Sequence, residues 1–169
     1  MAFNYNGSTF VSFAVYADVV QRDSRLFEAN EVINDQTLVN NLLALSSQRL
    51  LTKIKNTDWW IQYNFKRDSS LQNDVRRVPV VSPNKIDGME QEFKDLNIYH
   101  SLCEYILPRI ADFGNETSAE VIKIKHYRDQ FEILFKEIIE AGSWYDYSGD
   151  NTIVYTETEP SITNRVRIR

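Results

Sequence analysis

The sequence predicts an all-α protein: a small helical bundle with two long antiparallel helices, an extended N-terminal arm and an extended C-terminal docking tail. Two observations carry the helical part. Apolar residues recur at the 3.6-residue period over Glu90–Phe113 and Thr117–Gly142, and a third such stripe covers Asp35–Asn56. The third observation concerns the ends. The first seventeen residues carry no charged side chain yet hold Phe3, Tyr5, Phe10, Val11, Phe13, Val15 and Tyr16, and the chain closes on Asn-Arg-Val-Arg-Ile-Arg. Ordering such a terminus costs roughly 1–2 kcal/mol of backbone entropy per residue, which only burial or new hydrogen bonds offset. The 169 residues suit one domain, divided as an arm (1–17), a helical domain (18–142) and a turn, short strand and arm (143–169).

Phe3 and Tyr5, then Val11, Phe13 and Val15, repeat at period two, the spacing of an extended strand, with Gly7 allowing a bend. The arm has two resting places, on its own domain or on a neighbouring subunit; in the second, Phe10 and Phe13 are the partner contacts. Asp18 is placed to cap a turn through Val19–Arg22, and a further turn falls within Arg25–Val32. In the Asp35–Asn56 helix, Val39, Leu43, Leu50 and Ile54 form a stripe broadened by Leu42, Ala44, Leu45 and Leu51. Ser46 and Ser47 leave room there for close approach of another backbone. Asp58 reads as the cap of a helix through Trp59–Phe65, which Lys66 and Arg67 end. At least one of Trp59 and Trp60 belongs to the core, and the other suits a subunit contact, where aromatics are enriched.

The following stretch to Gly88 contains Pro79 and Pro83, which resist helix, and is expected to be the most exposed part of the middle. Its Lys66, Arg67, Arg76, Arg77 and Lys85 suit phosphate, an acidic protein or plain solvent. In the next helix Leu96, Tyr99, Cys103, Ile106, Ile110 and Phe113 recur at separations 3, 4, 3, 4, 3. Pro108 lacks the amide that would bond toward Glu104, so a bend is expected at Tyr105–Pro108. Thr117-Ser118-Ala119-Glu120 fits a capping box at the start of the last helix. Its stripe is Val121, Ile124, Tyr127, Phe131, Leu134 and Ile138, and Gly142 ends it. The short link makes these two helices antiparallel neighbours. Beyond them come a turn at Ser148–Gly149, a strand at Thr152–Thr156 and a release at Pro160.

Charge and chemistry narrow the function. The net charge of −5 divides unevenly, +2 over residues 1–85 and −7 over residues 86–169. That asymmetry suits oriented association and argues against a general nucleic-acid binder, which needs a concentrated basic surface. Cys103 is the only cysteine, which fits a reducing compartment, and no stretch approaches the roughly 18 apolar residues of a membrane span. No nucleophile elbow, phosphate-binding glycine loop or zinc-hydrolase helix occurs. His100, Cys103 and Glu104 share a helix but lack the further soft ligands of a zinc site. Asp146, Ser148, Asp150 and Glu157 match positions 1, 3, 5 and 12 of a calcium loop, yet Asn151 stands where glycine makes its sharp turn. His126 is within a helical turn of Asp129 and Gln130, but no Ser or Cys is organised with it for acyl transfer. The expectation is therefore a non-enzyme with no catalytic residue, cofactor or metal.

In an extended tail Arg165, Arg167 and Arg169 point to one side and Val166 and Ile168 to the other, an ionic edge and an apolar edge suited to β-addition or groove docking. The Asp35–Asn56 helix with LLALSSQRLLTKI, its DWW continuation, the EYILPRIADF helix, the SAEVIKIKHYRDQFEILFKEIIEAG helix and this extended end together resemble the head-to-tail connector, or adaptor, proteins of tailed bacteriophages. The resemblance covers nearly the whole chain as an architecture; the long apolar N-terminus is less typical of it. It implies helical subunits in a homo-oligomeric ring beneath the portal protein, in the virion neck and assembled in the host cytoplasm. The resemblance makes Arg165, Val166, Arg167, Ile168 and Arg169 the portal-docking arm, with other surfaces receiving a tail terminator or other neck protein. The resemblance also implies transient, non-specific passage of genomic DNA, with no membrane involved. Another neck or tail-completion protein is the alternative, followed by a small helical enzyme or a nucleic-acid regulator.

Overall fold

The helical periods become six α-helices among the described residues, preceded by a two-stranded sheet. The computed structural model describes residues 3–29, 33–115, 118–150, 152–154 and 157–158. In chain order the elements are β1 (Asn4–Asn6), β2 (Thr9–Ser12), α1 (Tyr16–Arg22), α2 (Ser24–Ala29), α3 (Gln36–Lys55), α4 (Asp58–Arg67), α5 (Glu90–Ser101) and α6 (Ala119–Ala141). The fold is the small helical bundle that the sequence predicts. It divides into two compact units, Met1–Gln48 with Glu90–Phe135, and Arg49–Met89 with Lys136–Arg169.

In the first unit the N-terminal segment folds back on its own chain. β1 and β2 pair antiparallel, Asn6 opposite Thr9 and Asn4 opposite Ser12, around Gly7 at φ 63°. The fold-back of the hairpin and its irregular end bring Phe3 and Phe10 against Phe13, with centroids 4.9 and 4.8 Å away, and Phe13 packs on Phe93 of α5 at 5.4 Å. The Phe13 amide donates to Ser47 Oγ at 3.1 Å. Phe13 is 0% exposed, so it has no surface to offer a partner, and the expectation that it contacts one is corrected; Phe10 remains half-buried. Phe3, Phe10, Phe93 and Ser47 thus contact Phe13 within one chain.

α1 starts earlier than expected. Asp18 does not cap forward but reaches back, accepting the Val15 amide at 2.8 Å, so the helix begins at Tyr16. The interior of this unit is mainly aliphatic: Val19, Leu26, Val39, Leu42, Leu43, Ile98, Leu102, Ile106, Leu107 and Ile124 join Phe27 and Tyr127 in one cluster. α5 and the turn after it run antiparallel to α6, for Glu104 pairs with Arg128 while His100, nearer the N-terminus, meets Phe131. The Pro108 break spreads further than its own ring. α5 leaves α geometry at Leu102, widens into a π turn over Leu102–Ile106 and tightens to a 3-10 turn over Leu107–Arg109. The missing amide removes one ladder bond and the ring displaces the carbonyl before it, and the chain absorbs this as a wider turn. The stripe therefore ends early, and Phe113, expected inside, is 64% exposed. Ser118 Oγ accepts the Val121 amide at 3.3 Å and caps α6; the expected Thr117 cap lies outside the described residues. Asn97, wholly buried on α5, has neither amide atom hydrogen-bonded among the described residues.

The second unit is aromatic. Thr57, not Asp58, caps α4 by accepting the Trp60 amide at 3.2 Å, so Asp58 is its first helical residue. Trp59 and Trp60 are both buried, which corrects the expectation that one of them lies at a subunit contact. The Trp60 ring stacks on Tyr63 at 5.5 Å and meets Tyr145 edge-on at 4.8 Å; Trp144 lies 5.1 Å from Trp59. Backbone bonds hold the two stretches together: Asp87 N–H to the Trp144 carbonyl at 3.1 Å and Asp146 N–H to the Lys85 carbonyl at 2.8 Å. The stretch from Ser69 to Ile86 is less exposed than the sequence suggests. It is built from three 3-10 turns, Ser69–Leu71, Val75–Arg77 and Pro83–Lys85, and Leu71, Val78, Val81 and Ile86 anchor it inside.

Candidate functional site

In the first unit, helical spacing puts Asp18, Gln21 and Arg22 on one face of α1, and Gln91, Asp95 and Ile98 on one face of α5. These six residues line a cleft of about 440 Å³. Arg22 forms an ion pair with Asp95, and its guanidinium lies 5.1 Å above the Tyr99 ring. Gln91 Nε2 donates to the same Asp95 oxygen at 3.4 Å. Burial alone would lower the Arg22 pKa; the hydrogen bond and charge of Asp95 outweigh it and hold the guanidinium above its ordinary value. Two carboxylates against one guanidinium leave the walls acidic. Elsewhere in this unit Asp23 Oδ2 accepts from Lys123 Nζ at 2.6 Å and from the Tyr127 hydroxyl at 3.2 Å. Burial first, and then the Asp23 charge, push the Tyr127 pKa up to about 12.

The residues weighed for chemistry do not converge. His100 Nδ1 lies 2.8 Å from Ser46 Oγ, a distance that suits a nucleophile and its base, but Ser46 is 0% exposed on α3. Cys103 is buried with Sγ 3.6 Å from the His100 carbonyl, and Glu104 faces away to Arg128 at 3.3 Å. His126 is exposed, its ring beside Tyr127. Asp146 and Glu157 are buried acids that organise their own loop: Asp146 Oδ1 accepts from the Ser148 hydroxyl and the Gly149 amide, while Glu157 accepts the Ser148 and Val154 amides. Among the described residues no three His, Cys, Asp or Glu side chains are placed to hold a metal ion.

The basic residues of the middle likewise do not form one face. Arg67 lies 3.7 Å over the Tyr63 ring, Lys85 Nζ donates to the Tyr147 carbonyl, and Arg77 turns to Asp74 at 3.8 Å. Arg76 stays exposed on a ridge with Val75 and Val80, which are 54% and 49% exposed. The cleft escaped the sequence reading because nothing in the order of residues says that α1 meets α5. The ridge carried a signal, the run Val75-Arg76-Arg77-Val78-Pro79-Val80, but its rigidity depends on what lies beneath. Arg165, Val166, Arg167, Ile168 and Arg169 lie outside the described residues. Comparison with protein-family models, with curated proteins and with solved structures finds no match for this chain.

Proposed function

We propose that this protein is a structural component of a bacteriophage neck, a homo-oligomeric ring that joins the portal to the tail around the DNA passage. The observation that carries the reading is the sequence resemblance across the helices together with the alternating Arg165–Arg169 segment, and a predominantly helical fold is compatible with it. The acidic net charge of −5 suits a channel wall, because a duplex must slide past it without the counterion-releasing phosphate contacts that hold a clamp in place. A ring needs heterologous contacts, one asymmetric interface repeated until it closes. Such a role calls on no catalytic residue, cofactor or metal. Its partners are further copies of the chain, the portal protein and a tail terminator or other neck protein.

The test is reconstitution on isolated portal, followed by light scattering and electron microscopy. The full chain is expected to add a ring, and a chain lacking residues 161–169 is expected to lose attachment while its far-UV circular dichroism stays helical. Equal attachment by the truncated chain removes the docking role of the tail. A full chain that binds a tail component and never the portal makes it a tail-completion protein.

A further inference from the structure

The second unit builds a rigid ridge whose purpose its own packing does not explain. Val75, Arg76, Arg77, Pro79 and Val80 are all exposed, yet the ridge is firmly held. Val78 and Val81 are buried on either side of its tip, Trp60 Nε1 donates to the Pro79 carbonyl at 2.8 Å, and Asp74 Oδ1 accepts the Arg76 amide at 3.0 Å. Gln72 and Asn73, just before it, both sit in the left-handed region at φ 51° and 57°. A side chain there crowds its own backbone carbonyl, more so for Gln72 than for Asn73, whose short amide tolerates the region. Strain of this kind is held in place by surrounding structure and gathers where a surface must keep a set shape. Two valines flanking an exposed guanidinium form an apolar and cationic surface that is ordered before any partner arrives, so little entropy is lost on docking.

The cleft of the first unit has the complementary charge. Asp18 and Asp95 outnumber Arg22 on its walls, and Gln21 and Gln91 make the rest of its exposed lining polar. Its volume of about 440 Å³ accepts a few side chains. Ridge and cleft share no residue, and that is the requirement for a heterologous contact, in which one patch of each copy meets a different patch of the next. We infer that the Val75–Val80 ridge of one copy seats in the α1–α5 cleft of a second copy, Arg76 against Asp18 and Asp95, with Val75 beside the exposed Gln91. The inference rests on the ring reading and names the interface that closes it.

The experiment uses the full chain, alone at high concentration and on isolated portal. Arg76→Glu is expected to weaken self-association roughly a hundredfold in sedimentation, as like charges facing across an interface do. Asp95→Arg is expected to do the same, and mixing the two variants is expected to restore assembly, since each supplies the complement of the other. Because Asp95→Arg also removes the partner of Arg22, Gln91→Lys serves as a second cleft variant that leaves this ion pair in place. A direct check mixes a Val75→Cys chain with a Gln91→Cys chain under mild oxidation; native Cys103 is buried, and a cross-linked dimer is expected only from the mixture. Rings without the cross-link, and indifferent to Arg76→Glu, overturn this contact and leave the ring standing. A chain that stays monomeric alone and on the portal overturns both. Arg76→Glu that abolishes salt-sensitive binding to duplex DNA without touching self-association also overturns it, making the ridge a phosphate contact.

Discussion

The two units bury different chemistry. The first packs mainly aliphatic side chains from α1, α2, α3, α5 and α6, with a hairpin of phenylalanines laid on α5. The second packs Trp59, Trp60, Tyr63, Trp144 and Tyr145 from two stretches some eighty residues apart in sequence, and all three tryptophans of the chain lie in it. Aliphatic stripes make many small contacts, any one of which is replaceable. Stacked and edge-on rings depend on a few large partners in set orientations, and each polar ring atom needs a bond of its own. The difference shows that a helical bundle of this size keeps its long helices by repetition and fixes its irregular chain by a handful of aromatic anchors.

The largest expected effect breaks the aromatic side. Trp60→Ala removes a stacked pair, an edge-on contact and the bond to the Pro79 carbonyl, and is expected to cost about 3–5 kcal/mol in urea unfolding. Leu102→Ala on the aliphatic side is expected to cost about 2–5 kcal/mol. The two are told apart by native-state tryptophan fluorescence, which reports only on the second unit: the Trp60 variant is expected to shift its spectrum to the red, and the Leu102 variant to keep the native one. A red shift in both would show that the aliphatic unit holds the rings in place.

Asn97→Leu sharpens the comparison from the other direction. The two side chains have the same branched shape, and the exchange removes a buried amide with no hydrogen-bond partner among the described residues. Stability is expected to rise by about 1–3 kcal/mol. A loss instead would show that the amide is satisfied, by an internal water or by a second arrangement of α5 near its π turn.

The smallest effect is set by pH. Burial raises the pKa values of Tyr127 in the first unit and of Tyr63 and Tyr145 in the second. A tyrosine whose folded pKa lies above its unfolded value contributes stability that is intact below the unfolded pKa and is lost as pH rises through the folded one. For Tyr127 that window runs from 10.0 to about 12. Thermal midpoints are expected to fall across it, and the fall is expected to be shallower in Tyr127→Phe. An unchanged slope would place the titration in the aromatic unit.

Much of the bundle was legible because periodicity is a local property. Val39, Leu43, Leu50 and Ile54 lie on the buried side of α3, and Ile124, Tyr127, Phe131 and Ile138 on that of α6, where the 3.6-residue period puts them. Helix ends were less legible. Asp18 and Asp58 both have the chemistry of a cap, but the choice of the first helical residue depends on the chain before it, and Val15 and Thr57 stand at the starts of those helices. The break at Pro108 was foreseeable and its extent was not, since a π turn forms only if the neighbouring packing accepts an extra residue.

By itself the sequence determined the helical class, the three long stripes, the break near Pro108 and the absence of any compact catalytic motif, all of which follow from residues close together in the chain. Tertiary structure alone decided that Phe13 lies inside its own unit, that Trp59 and Trp60 are both core, that the proline-containing stretch carries a rigid ridge and that Asp18 and Asp95 share a cleft. The physical reason is distance along the chain. A stripe is written in residues three and four apart, whereas a site or a buried ring is made by surfaces that meet only after the chain has closed on itself, at an entropic cost the sequence does not display.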